Sequence, residues 1–286
     1  MNPSVMNNHR QLIQRSRALG VCVAGVLLAL SCAPRADAAV LSVNPIADTF
    51  VINFGSTRAE TYESYGSSSY LGGGIYAGSG LGEYSFLRFD LSSVLPEGAV
   101  ITSATLKMTA AFTYSYSNGE TLRFWQMNPA NAAWTENSGM TGTTAAYINQ
   151  TSYVAPGDSA GTAWASGGIF NVIPGDLGSQ IGQQSLTGVE ENVTYSFSLD
   201  AATVNSWLTD STLANAGLVF HMTNDENPAV ASRFIYFLSM SSGADGAMLP
   251  QLEVTYDAIP EPSTVLLMFG GLVVLGMYRW RKVARA

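Results

Sequence analysis

Few side chains in this sequence can do chemistry. His9 and His221 are its only histidines, and Cys22 and Cys32 its only cysteines. Beyond residue 38 the chain therefore holds one histidine and no thiol. Disulfides, thiolate metal sites and thiol catalysis are excluded there, and nothing can join His221 in a zinc site. A Ser-His-Asp triad would have to use His221, yet no G-x-S-x-G elbow occurs. The stretch Tyr70-Leu71-Gly72-Gly73-Gly74 opens no helix and lacks the lysine of a phosphate cradle, so it reads as a turn between short strands. A glycosidase needs only two carboxylates in a cleft, but no pair is marked out by its neighbours. A lyase usually needs a base plus a cation, and Lys, Arg and His are scarce. The expectation is a chain without enzymatic activity and without catalytic residues, with a polysaccharide hydrolase or lyase as the alternative.

Binding chemistry is better supplied. Sugars stack on exposed aromatic faces while acids and amides fix their hydroxyls. Trp164, in a Gly/Ser-rich stretch, and Tyr70 and Tyr76, among glycines and serines, are the candidate ligand-binding residues. Each tyrosine also reads as an amphipathic sheet residue with a wet hydroxyl. Asp48, Asp225 and Glu226 are candidate ligands of a structural calcium, which takes carboxylate oxygens. The loop around Asp225 reads equally as a hydrophilic turn. No other cofactor is expected. From Ala39 to Pro262 the chain carries five basic and 20 acidic residues, a net charge of −15. Such a surface repels nucleic acid and anionic lipid, and an anionic polysaccharide too unless a cation bridges them.

The elements that must position these residues are strands. Val100, Ala104, Leu106, Met108 and Ala110 share one face of an alternating run, with Ser103, Thr105, Lys107 and Thr109 on the other. Leu218, Phe220 and Met222 alternate with Val219, His221 and Thr223, and Leu252, Val254 and Tyr256 close the series. Arg88 and Asp90 fall on one face of a strand and are expected to pair at the sheet edge. One short helix follows Asp200, a candidate N-cap, with Val204, Trp207 and Leu208 on its core side. Residues 137–170 lack alternation and read as a long loop. The fold class is all-β, an antiparallel sandwich.

Both ends of the chain are apolar. Arg10, Arg15 and Arg17 precede the apolar stretch Ala18–Leu30, and Ala36-Asp37-Ala38 offers an A-x-A site. Residues 1–38 read as a signal peptide cut after Ala38 by signal peptidase. A lipoprotein signal at Cys32 is the weaker option. At the other end Pro260-Glu261-Pro262 precedes an apolar run, with Arg279, Arg281 and Lys282 behind it. Residues 263–280 would make about 27 Å of helix, enough to cross a ~30 Å hydrocarbon core. The order of parts in residues 258–286 resembles the PEP-CTERM sorting signal. That resemblance implies an exosortase that reads Pro-Glu-Pro, cleaves there, and releases or re-anchors the body.

A second resemblance runs through residues 39–257. Ala47-Asp48-Thr49-Phe50-Val51, the stretch from Phe86 to Leu106, Trp134-Thr135-Glu136, Trp207-Leu208 and the stretch from Leu249 to Tyr256 are similar, in order, to the DNRLRE domain family. The family's literal naming motif is absent. The resemblance implies a jelly-roll-like β-sandwich found on secreted and surface proteins, some of which bind polysaccharide, with Trp134 and Trp207 in its core.

Together these features describe a protein exported by the secretion machinery. It would pass through an inner-membrane-anchored intermediate, held by the C-terminal helix, to the cell surface or medium. It would associate with extracellular polysaccharide as a carbohydrate-binding or structural module.

Overall fold

The computed structural model describes residues 38–53, 62–64, 68–75, 82–114, 120–132, 134, 177–223 and 232–257, and near the C-terminus 270–272, 275–276 and 278–281. The chain divides into one unit of residues 38–257 and a second made of 1–37 and 258–286.

The first unit is mostly β-strand. Its strands are β1 (Ala38–Val43), β2 (Ala47–Asn53), β3 (Tyr62–Ser64), β4 (Tyr70–Ile75), β5 (Gly82–Arg88), β6 (Val100–Tyr114), β7 (Thr121–Met127), β8 (Leu177–Ser185), β9 (Thr194–Leu199), β10 (Leu218–Thr223), β11 (Arg233–Leu238) and β12 (Gln251–Asp257). They form one curled antiparallel sheet in the order β1-β12-β6-β11-β4-β5-β10-β7-β8, with β2 on β5, β3 on β2 and β9 on β6. β1 and β8 are the ends of this order.

Alternation builds the core. Ala104, Leu106, Met108 and Ala110 of β6, Leu218, Phe220 and Met222 of β10, and Leu252 and Val254 of β12 all point into one cluster. Curling brings strands that are not hydrogen-bonded to each other into contact across it. The Phe124 ring of β7 lies 5.0 Å from Phe197 of β9, and Phe220 of β10 lies 5.9 Å from Phe237 of β11. Each such side chain contributes roughly 1.5–3 kcal/mol by leaving water. Val100 departs from the expected face and is 48% exposed, while Ile101 is buried. The β6–β12 ladder slips between Thr255 and Tyr256, so Thr102 is an extra residue that turns Ile101 inward.

The reverse face of β5, β7 and β10 is covered as well. Phe86, Met127, Val219, Ala216 and Trp134 form a second cluster there, and Trp134 Nε1 donates to the Ala216 carbonyl at 2.7 Å.

Two short helices stand where one was expected. α1 (Ala201–Ser206) is capped by Asp200, which accepts from the Thr203 amide at 2.7 Å. α2 (Ser211–Ala216) is capped by Asp210. Gln126 fastens both to β7. Its Nε2 donates to the carbonyls of Met127, Leu213 and Gly217, and its Oε1 accepts from Trp207 Nε1 at 2.5 Å. Gly217 closes α2 at φ 73°, and a Cβ there would meet the Leu87 carbonyl.

In the second unit, residues 270–272, 275–276 and 278–281 are helical. Among the described residues no helix is long and apolar enough to cross a membrane. The rest of the expected span 263–280, and residues 1–37 of the expected leader, lie outside the described residues.

Candidate functional site

Tyr70, the first residue of β4, is 37% exposed and stands in an aromatic group drawn from four strands, β4, β6, β11 and β2. Its ring meets Phe112 of β6 edge-on at 5.0 Å. Phe112 stacks on Tyr236 of β11 at 4.4 Å and 21°. Phe234 lies 6.2 Å further along β11, and Phe50 of β2 meets Tyr236 edge-on at 6.5 Å. Alternation on β11 explains the grouping: Ile235 and Phe237 enter the main core, which turns Phe234 and Tyr236 to the other face.

The glycines of β4 make room for this group. They are not a turn, as the sequence suggested, but the middle of a paired strand, with Gly72, Gly73 and Gly74 opposite Tyr236, Ile235 and Phe234. A Cβ on Gly74 would run into the Phe234 ring, and one on Gly72 into the Glu83 carboxylate. Glu83 is buried, and Tyr236 donates its hydroxyl to Glu83 Oε1 at 2.8 Å. Burial, then the Glu83 charge and this bond, hold the Tyr236 phenol protonated far above its ordinary range. The group thus offers aromatic carbon at the surface and an acid–phenol pair beneath it. Chemically it is suited to holding a ring-shaped ligand in place.

The other expected site residues scatter. Asp48 is buried, and its Oδ2 accepts from the Met240 amide at 2.7 Å, tying β2 to the turn after β11. Asp225 and Glu226 lie outside the described residues, as do Trp164, Tyr76, Pro260, Glu261, Pro262, Lys282 and the segment 137–170. Among the described residues no group of three His, Cys, Asp or Glu is placed to hold a metal ion. Ala38 begins β1, with Asp257 as its partner across the ladder. Arg279 and Arg281 are helical.

One reading of side chains needs correction. Arg88 and Asp90 do not pair. β5 ends at Arg88, whose guanidinium lies 4.4 Å over the Trp134 ring and donates to the carbonyls of Trp134 and Ala132. Asp90 falls in the turn beyond, where its Oδ1 accepts from the Ser92 hydroxyl at 2.9 Å and the Ser93 amide at 3.1 Å. His221 is half-buried, stacked on Trp125 at 4.5 Å and packed against Tyr84 at 4.6 Å.

Phe112 and Tyr236 were not singled out in the sequence. A partial signal existed in the alternating Phe234-Ile235-Tyr236-Phe237, but nothing local shows which strands lie beside it.

Comparison with known proteins identifies the C-terminus. Residues 258–282 match the PEP-CTERM protein-sorting motif. The match takes in Pro260, Glu261, Pro262, Arg279, Arg281 and Lys282. It marks an exported protein processed by an exosortase and is consistent with a C-terminal membrane anchor before processing. No curated protein matches this chain.

Proposed function

We propose that this exosortase substrate works outside the cell as a non-catalytic, carbohydrate-binding module of the extracellular polysaccharide matrix, built on a jelly-roll-like body. The aromatic group of Tyr70, Phe112 and Tyr236 carries the reading. It presents ring carbon to solvent on a rigid sheet, which is how proteins commonly hold a sugar. The ordered stretches that resemble the DNRLRE family support it. In this scheme signal peptidase removes residues 1–38, the C-terminal segment holds an intermediate in the inner membrane, and exosortase cleavage sends the body to the surface or medium. Calcium held by Asp225, Glu226 or Asp48 would be structural or would bridge an acidic glycan.

The test is a glycan array probed with the exported protein, with calcium and with chelator, beside its Tyr70→Ala variant. Binding that Tyr70→Ala weakens, with no turnover of the bound glycan, is the expected result. Absence of binding under both conditions would leave a structural matrix component, and turnover would reveal an enzyme. The sorting half of the scheme predicts a larger, membrane-retained product in cells that lack exosortase.

A further inference from the structure

A cleft of about 370 Å³ opens between the turn after β5, the end of α1 and the start of α2. It contains none of Tyr70, Phe112 or Tyr236. We propose that this cleft is a separate binding site for a neutral, hydroxyl-rich sugar unit of a polysaccharide.

Its size is at the small end of the ~300–1,000 Å³ typical of small-molecule sites. Its accessible apolar wall is Leu208, Ala214 and Ile46, which is 60% exposed at the rim, backed from behind by the buried rings of Phe89 and Trp207. A pyranose ring has a C–H face that packs on such carbon. The oxygen atoms are supplied by Asp90, Ser92, Thr209 and Ser211.

Their hydrogen bonding leaves acceptors over. Both side-chain bonds that Asp90 accepts use Oδ1, so Oδ2 accepts from none of the described residues. Hydrogen bonds from Ser92 and Ser93, that of the Ser92 hydroxyl foremost, hold the Asp90 carboxyl below the usual carboxylate range, so it is charged at neutral pH. Ser92 and Thr209 spend their hydroxyl protons on Asp90 and on the Ser206 carbonyl, which leaves lone pairs open. Ligand O–H groups are the complement of such acceptors.

Charge then chooses among glycans. None of the lining residues is basic, and Asp90 is the one acid among them. A uronate or sulfate would meet a like charge with no cation to offset it. A calcium ion, which takes six to eight oxygens, would find one carboxylate. The wall is also held in place before any ligand arrives: Trp207 is fixed by Gln126, and α1 by its Asp200 cap.

The experiment is titration calorimetry on the exported protein in chelator. The probes are neutral gluco-, manno- and galacto-hexasaccharides and one hexauronate. Saturable binding of a neutral oligosaccharide and none of the hexauronate is the expected outcome. Asp90→Asn, which keeps an acceptor for Ser92 and Ser93, should weaken binding about tenfold. Ser211→Trp, at an exposed first-turn position, should fill the cleft and abolish binding without lowering Tm. Tyr70→Ala should leave this affinity unchanged. No binding by any neutral probe, binding that survives Ser211→Trp, binding that appears only with calcium, or equal affinity for the hexauronate would each overturn the proposal. Loss in Tyr70→Ala alone would keep the aromatic-group reading and sink the cleft. Loss in Ser211→Trp alone would establish the cleft as a separate site and leave the aromatic group to be judged on the glycan array.

Discussion

A methyl group on Gly72 should be among the costliest small changes in this body. A Cβ there would overlap the Glu83 carboxylate and lie 3.2 Å from Tyr236 Cε1. The ring can give by a few tenths of an ångström. The carboxylate is buried and cannot swing freely into water. Overpacking costs about 1–3 kcal/mol. Displacing Glu83 also disturbs the hydroxyl bond from Tyr236, and a hydrogen bond to a charged group is worth about 1.5–3 kcal/mol. Removing a strand glycine returns about 0.5–1 kcal/mol of entropy. The net for Gly72→Ala is a loss of about 2–5 kcal/mol. Urea unfolding followed by circular dichroism would read it as a lower midpoint at unchanged slope. The control is the same substitution beside Glu83→Ala. With the carboxylate gone, the methyl should cost under about 1 kcal/mol, which is a large coupling energy. Equal costs in the two backgrounds would refute the assignment of Gly72 as the space that admits Glu83.

Arg88→Met should cost about 2–3 kcal/mol in denaturant titrations, because it removes the bonds to the Trp134 and Ala132 carbonyls and the charge over the Trp134 ring. Arg88→Lys should restore less than half of this, since an ammonium cannot reproduce the flat guanidinium fork. Asp200→Ala should cost about 1 kcal/mol through the lost cap on α1 and leave the sheet intact by amide exchange. Stability should fall at alkaline pH. The Tyr236 phenol is raised above its ordinary value in the fold, so above about pH 10 the unfolded chain binds fewer protons than the folded one. The slope should be at most about 1.4 kcal/mol per pH unit, reduced by solvent screening. Tyr236→Phe should flatten it, leaving a residue from Tyr84, which burial also raises.

How much could be read in advance depended on how local each feature is. β12 was legible because it sets one face on the core, so alternation survives in the linear order; in β10 it placed Leu218, Phe220 and Met222 correctly but missed that Val219, on the opposite face, is buried in the second cluster. Val100 misled because the bulge at Thr102 is imposed by the ladder with β12, far away in sequence. The β4 glycines looked like a turn because glycine alone favours one. Their reason for being is the Glu83 and Phe234 side chains that arrive from other strands. Tyr70 was visible as a candidate, but Phe112 and Tyr236 join it only through the order β6-β11-β4. α2 escaped because six residues carry little periodicity, although Asp210 before Ser211 was an available start signal. The sorting motif was readable because its parts lie next to one another in the chain.

β1 hydrogen-bonds to one strand, β12, and β12 ends at Asp257, where the tail begins. The first strand to be made therefore waits for the last. Until residues 251–257 have been made, β1 cannot complete this ladder. Sealing that edge is therefore a late, long-range step in folding the body, which couples the order of synthesis to the moment at which the sheet becomes whole.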